Sequence, residues 1–284
     1  MNLSVKNKKS ILTVLILLPL VISLIFMGIG LNRPISAATF DGEITIMTYN
    51  IHFGVGMDDK VDLERLAQNI LLENPDIVGL QEVENGRIIS QGVDMALWLA
   101  LRLGMYYRFY PAVNDAAFGV AILSKFPIVE TNRYDLTSIQ LERVLLHCKL
   151  QINATFVLDV FVTHLGLSNE NQSRQVQEIL AFTDLITGPK ILMGDFNMND
   201  TNPIINTDIY NKFNDTWRIM NPISNEGSFP SYPGPELGNR IDYIFATGYS
   251  DIIKSEIITS MIDGIHEPWE FGSDHLPVVS ILKY

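Results

Sequence analysis

Four apolar runs of strand length each end on a residue that can hold a proton, a metal or a phosphate. EITIMTYN stops at Asn50, PDIVGLQE at Glu82, TFVLDVFVTH at His164, and PKILMGDFN at Asp195 and Asn197. Two further runs invert the order: RIDYIF carries Asp242 at its start, and GSDHLPVV opens with Asp274 and His275. The runs are rich in β-branched and aromatic residues, as strands require. Strand ends of a layered sheet protein converge on one rim, where ligands bind. Burying several carboxylates and imidazoles together there costs several kcal/mol unless they pair or meet a cation. In GDFN, side-chain alternation puts Asp195 and Asn197 on one side of an extended chain, and Gly194 permits a close backbone approach.

Helical patterns lie between the strands. DLERLAQNILLENP places Leu63, Leu66, Ala67, Ile70 and Leu71 on one face, with Asp62 as N-cap and Asn74-Pro75 as the stop. GVDMALWLALRLG reads as a helix closed by Gly104, and NQSRQVQEILAFTDLI as an amphipathic helix. MYYRFYPAV, FGVAILSKFPIV, RVLLHCKLQI, IIKSEII and LPVVSIL add strands, while 198–238 is rich in Pro, Gly, Asn and Ser and reads as loop. Strands interleaved with a few helices indicate an α/β protein whose sheets are covered by helices. No internal repeat is visible, and one domain of ~250 residues is the simplest organisation.

The N-terminus departs from this pattern. MNLSVKNKKS is basic, and the following ILTVLILLPLVISLIFMGIGL carries no charge. ISAA then supplies small residues spaced as at a signal cleavage site. At about 20 residues the run also suffices to span a bilayer. Residues 1–38 are therefore expected to be a cleaved signal peptide or an uncleaved membrane anchor, with Lys6, Lys8 and Lys9 left in the cytoplasm. Residues 39–284 are expected to form an extracytoplasmic body, secreted or anchored to the cell membrane by that helix.

Charge narrows the partners. The formal total is −12, and the first 38 residues hold four basic side chains and no acid, which leaves −16 on the rest. Such a body disfavours tight, non-specific nucleic-acid binding, which shows as a basic stripe. The single cysteine, Cys148, excludes an intrachain disulfide and sits among apolar residues as a core side chain.

The candidate ligands are dominated by oxygen donors with no cysteine among them. That set selects a hard cation, Mg²⁺ with Mn²⁺ or Ca²⁺ as alternatives, over structural zinc. Histidines and a His–Asp partnership beside such an ion suit phosphoryl chemistry.

TYNIHFG, PDIVGLQEVE, GVAILSKFPI, VTHLGL, ILMGDFN, RIDYIF and GSDHLPVV, in this order from about residue 43 to the C-terminus, resemble the motif series of the endonuclease/exonuclease/phosphatase superfamily. The resemblance implies a four-layer sandwich of two packed mixed β-sheets flanked by helices, here preceded by the N-terminal hydrophobic helix. The stretch QGVDMALWLALRLGMYYRFYPA…FGVAILSKFPI is similar to a branch containing the soluble domain of GPI-anchor lipid remodelling proteins and bacterial metal-dependent hydrolases.

Carried over by position, the resemblance makes Glu82 the principal metal carboxylate. Asn50 would hold the metal or a phosphate oxygen, and Asp274 would ligate the metal or stand behind its ligands. His275, oriented by Asp242, would be general base or transition-state donor. His164 would bind phosphoryl oxygens, Asp195 would orient water or the leaving group, and Asn197 would donate to the phosphate. His52, a departure from other members, shares the strand side of Asn50 and is expected either to touch substrate or to stand behind it. Arg143 is read as a phosphate contact or a surface arginine, and Glu84 as a solvated or supporting acid. Arg240 is read as a salt-bridge partner, His147 as a satisfied histidine, and Arg174 with Gln177 as packing residues. The aromatic loop bearing His266, Trp269 and Phe271 is expected to meet lipid, clamp substrate or merely pack.

Together these readings indicate an extracytoplasmic, divalent-metal-dependent phosphodiesterase or phosphatase acting on a lipid-linked or small phosphoester. It is expected to act as a monomer. A secreted nuclease is the second reading, and a silent membrane-tethered binding module the third.

Overall fold

Alternation along the strands sorts the apolar side chains into three separate layers. The computed structural model describes residues 17–19, 38–113, 117–139, 141–224, 227–228, 238–259 and 272–284. In chain order the elements are β1 (Glu43–Asn50), α1 (Leu63–Glu73), β2 (Ile77–Glu84), α2 (Met95–Leu103), β3 (Tyr106–Pro111), β4 (Phe118–Ser124), β5 (Ile128–Leu136) and β6 (Arg143–Gln151). They continue with β7 (Val157–His164), α3 (Asn169–Asp184), β8 (Lys190–Asp195), β9 (Asn214–Asp215), α4 (Thr216–Met220), β10 (Asp242–Thr247), β11 (Asp251–Ile257) and β12 (Val278–Lys283).

One six-stranded sheet runs β11-β12-β1-β2-β4-β3 and the other β5-β6-β7-β8-β10-β9. Both are mixed: β1/β2 and β7/β8 are parallel, and the remaining pairs are antiparallel. Ile44, Ile46 and Ile122 of the first sheet and Leu146, Val160, Val162, Ile191 and Ile244 of the second form one buried layer between the sheets. The alternate residues Met47, Tyr49, Val78 and Leu80 face outward against Leu66 and Ile70 of α1 and Leu99 of α2. Phe161, Leu192 and Phe245 likewise face Val176, Ile179 and Leu180 of α3. The result is helix, sheet, sheet, helix. The sheets approach closely at Gly79, where a Cβ would press on Val162 and Met193 of the opposite sheet.

Local signals act as read. The Asp62 carboxylate accepts from the Arg65 N–H, and α1 ends on Asn74 in the left-handed region; Gly104 ends α2 in the same way. Other details differ. Leu71 is exposed, and Asn69 is buried in its place. The 198–238 segment, read as loop, contains a π-helical turn at Ile204–Ile209, the two-residue β9 and α4. Elements this short span less than two periods and leave no pattern to read. The strand β5 runs on past the apolar FPIV to Leu136; it is a sheet edge, and its charged residues blunt sheet-to-sheet pairing.

Residues 36–284 group as one unit and 1–35 as another. The hydrophobic helix expected over the N-terminal run lies outside the described residues except for Leu17–Pro19, which are helical and exposed. Among the described residues no helix is long and apolar enough to cross a membrane. The aromatic loop with His266, Trp269 and Phe271 also lies outside the described residues.

Candidate active site

The layer between the sheets ends in polar residues at one rim. Asp195, the last residue of β8, is in register with His164 on β7 and with Asp242 on β10. Directly paired residues face the same way, so all three continue the inner face of Met193, Val162 and Ile244. Phe196 then turns to the outer face and packs edge-on against Phe245 and Tyr243. A strand can thus deliver a buried acid because the next side chain anchors it from behind. Gly194 allows the β7/β8 pairing to reach this end, since a Cβ there would collide with the Thr163 carbonyl.

Glu82 reaches the site differently. Alternation from Val78 and Leu80 would send its side chain outward toward α1. Pairing with β4 shifts register between Leu80 and Val83, and Glu82 adopts φ +54°. This bulge re-aims the carboxylate so that Asn50 Nδ2 donates to its Oε1 at 3.2 Å. The same amide donates to Asp195 Oδ2 at 3.0 Å and lies 3.4 Å from His275 Nε2. Asn50 Oδ1 accepts from the His52 N–H at 3.1 Å.

His275 Nδ1 meets Asp242 Oδ2 at 2.8 Å, and His275 Nε2 lies 3.8 Å from Asp195 Oδ2. His164 Nε2 lies 3.4 Å from the same oxygen. Ser273 fastens this corner: its hydroxyl donates to the Asn50 carbonyl and accepts from the His275 N–H. Ser228 accepts from both Ile241 and Asp242 N–H groups, fixing the start of β10. A cavity of about 550 Å³ opens above these groups, lined among others by Glu82, Arg143, His164, Asp195, Asn197, Asp274 and His275.

Burial sets the electrostatics. Desolvation and the neighbouring Asp242 carboxylate push the Asp195 carboxyl up to about 7. Desolvation opposes a charge on His275, but the Asp242 carboxylate, by attraction and hydrogen bonding, outweighs it and raises the imidazole to about 10. His164 is held well below the ordinary imidazole range by burial, then by Arg143 and His275. Burial lowers Arg143 as well, against the pull of Asp195 and Glu82.

The donor set fits a hard divalent ion. Ligand atoms of Asp195, Asp242 and His275 lie within 4.8 Å of one another. Asp242 Oδ1 and Asp274 Oδ1 are buried with no hydrogen-bond partner among the described residues. Buried carboxylate oxygens of this kind are what a cation satisfies.

The structure thus brings together Asn50, Glu82, His164, Asp195, Asn197, Asp242, Asp274, His275 and Arg143. Asn197 arrives by a different route from the one alternation implies. β8 ends at Asp195, and Asn197 has φ +52°, with its N–H bonded to Asp195 Oδ1 at 2.8 Å and its Nδ2 given to the Leu165 carbonyl. His52 is not among the cavity-lining residues. It begins a 3-10 turn with φ +42°, and its Nδ1 faces the Val55 carbonyl at 3.0 Å and Asp274 at 3.7 Å; Phe53 lines the cavity instead.

Arg143 is no surface arginine: it is 6% exposed. Glu84, read as solvated or supporting, is 3% exposed, lines the cavity and pairs with Arg87 at 3.0 Å. Its position two residues after Glu82 was the available signal. Arg240 joins Asp215 and Asp200, and His147 joins Asp159. On α3 the polar work falls not to Arg174 and Gln177, which are exposed, but to Gln172 and Gln175. These buried amides bond Gly166 and Asn197 carbonyls, the Gly166 N–H and the Thr137 carbonyl.

Comparison with known proteins places this geometry. A family model described as Endonuclease/Exonuclease/phosphatase family matches residues 47–275. Protein cwh43 of Schizosaccharomyces pombe is 32% identical over 130 residues, covering 45% of this chain and 13% of that protein. The chain thus corresponds to a small part of that relative. An endonuclease/exonuclease/phosphatase crystal structure from Beutenbergia cavernae superposes with TM-score 0.66 at 27% identity, covering 85% of this chain and 71% of that one. A conserved protein of unknown function from Enterococcus faecalis superposes with TM-score 0.68 at 22% identity, covering 85% of this chain and all (100%) of that one.

Proposed function

Since the chain belongs to the endonuclease/exonuclease/phosphatase family, we propose that it is a divalent-metal-dependent phosphoric ester hydrolase that works outside the cytoplasm on a lipid-linked phosphodiester. The observation that carries this reading is the convergence of Glu82, His164, Asp195 and His275 on one cavity floor, with Asn50 and Asp242 bonded to them from behind. The similarity to Protein cwh43 supports the lipid-remodelling branch, and the apolar, charge-free N-terminal run supports export, as a signal peptide ahead of 39–284 or as an anchor.

Glu82 and Asp274 would hold Mg²⁺, with Asn50 beside them; Mn²⁺ or Ca²⁺ would suit the same oxygens. When bound, the ion supplies charge neutralisation at the phosphoryl oxygens. The chain's own groups divide the remaining work. Asp195 Oδ2, near pH 7 in its proton affinity, orients the attacking water and accepts its proton. His275, charged and held by Asp242, donates through Nε2 to the oxygen on which charge develops. His164, Arg143 and Asn197 line the same cavity and hold the phosphoryl oxygens.

The detergent-purified full chain should hydrolyse bis-p-nitrophenyl phosphate with Mg²⁺ and lose that activity in EDTA. Undiminished turnover in EDTA would remove the metal from the reading. Preferential cleavage of plasmid DNA over phospholipid vesicles would replace it with the nuclease reading, which the net charge of −16 on the body disfavours.

A further inference from the structure

We propose that the rim of this cavity is a docking surface for a zwitterionic phospholipid bilayer, a step that rests on the phosphoester reading above and names where its substrate lies. Three loops at the site end of the sheets present large apolar side chains to solvent. Ile88 is 97% exposed and Ile89 64%, on the loop between β2 and α2. Ile139 and Leu141 stand between β5 and β6, and Leu167, 75% exposed, follows β7. Single exposed leucines are ordinary, but a set from separate loops around one opening marks an interaction site.

The first loop is built to hold its isoleucines outward. Gly86 N–H bonds the Val93 carbonyl, Gly92 N–H the Arg87 carbonyl, and Gln91 N–H the Ile88 carbonyl. The exposure is therefore a feature of a closed, hydrogen-bonded turn.

Continuity with the cavity decides what covers this surface. Ile89, Leu141 and Leu167 line the same space as His164, Asp195 and His275. An occupant must set apolar matter against the rim while a phosphoester reaches the floor, and a bilayer surface offers both in one layer. Charge decides which bilayer. Arg87, Arg143 and His275 share the cavity with Glu82, Glu84, Asp195 and Asp274, so the lining is mixed, but the body as a whole carries −16 and an anionic surface is repelled. Ala38 and Phe40 pack at the other end of the inter-sheet layer, before β1 begins. The apolar N-terminal run is a second candidate membrane contact, so a test of the rim must be local.

The full chain lends itself to such a test because its one cysteine, Cys148, is buried. Ile88→Cys and, at the opposite rim, Ala154→Cys are labelled with a nitrobenzoxadiazole fluorophore. Each is reconstituted into dioleoylphosphatidylcholine vesicles containing an acyl-chain doxyl lipid. Quenching at position 88 should exceed that at 154 by at least twofold. Equal or absent quenching at 88 overturns the proposal. So does an emission blue-shift at 88 that needs only concentrated protein, which would assign the rim to a second copy of the chain. The Ile88→Ser/Ile139→Ser double variant should keep metal-dependent bis-p-nitrophenyl phosphate hydrolysis within about twofold while losing the quenching difference, read with the label at a third rim position, Ile89→Cys. If wild-type chain shows no metal-dependent hydrolysis, the phosphoester reading fails by itself, whatever the label reports.

Discussion

Two buried His–Asp pairs have their acids on the same sheet, Asp242 on β10 and Asp159 on β7, and opposite surroundings. His275 and Asp242 meet at 2.8 Å at the site rim. His147 and Asp159 meet at 2.7 Å on the outer face, between β6 and β7. Judged by distance and burial they are equivalent. Around His147 lie a stacked Phe161 ring and the Asn132 amide, and the described cavities do not reach it. Around His275 lie a second carboxylate, Asp195, the Asn50 amide and a cavity with space for a substrate. A histidine held by an acid is therefore no site by itself; uncompensated charge facing an opening makes it one.

The comparison can be broken most severely by removing the cation. Chelation by EDTA should abolish phosphodiester hydrolysis while circular dichroism reports the fold retained. Next, His275→Ala should lower kcat by ~10²–10⁴-fold, whereas His147→Ala should leave kcat within about threefold. If His147→Ala proved equally damaging in a well-folded protein, the distinction between the pairs would be lost. His147→Ala should act on stability instead, by about 1–3 kcal/mol in denaturant unfolding, because it strands a buried carboxylate. Arg143→Lys should raise KM for bis-p-nitrophenyl phosphate more than it lowers kcat, since Lys lacks the planar fork.

The smallest effect is a pH slope. Asp195 holds its proton in the folded, metal-free chain up to about pH 7, against about 3.9 when unfolded. Between these values the folded state binds the additional proton, so its stabilising contribution is full below about pH 4 and is lost as pH rises through 7. Thermal midpoints measured in EDTA should show this decline, and Asp195→Asn should flatten it. An identical slope in the variant would assign it to other groups.

Much of the site was legible because strand ends announce themselves. An apolar run that stops on Asn50, Glu82, His164 or Asp195 reveals both the strand and the residue at its rim. The rest was hidden where the backbone leaves regular geometry. Glu82 reaches the cavity through a bulge and a positive φ, Asn197 through a left-handed residue after the strand, and His52 is turned aside by its own. Alternation assumes an unbroken pleat, and each of these departures resets it. Arg143 and Glu84 were ambiguous for another reason: burial of a charged side chain depends on neighbours contributed by distant segments.

The chain's sequence by itself determined the α/β layering, the family membership and the set of polar residues gathered at the sheet ends, because periodicity and motif order are local and ordered properties. Tertiary structure alone decided which His–Asp pair faces an opening, how Asp195 comes to sit between His164 and Asp242, and that isoleucines and leucines from three loops surround one cavity. Those outcomes follow from cross-strand register, a bulge and loop closure, and each joins residues whose separation in the chain conceals their proximity.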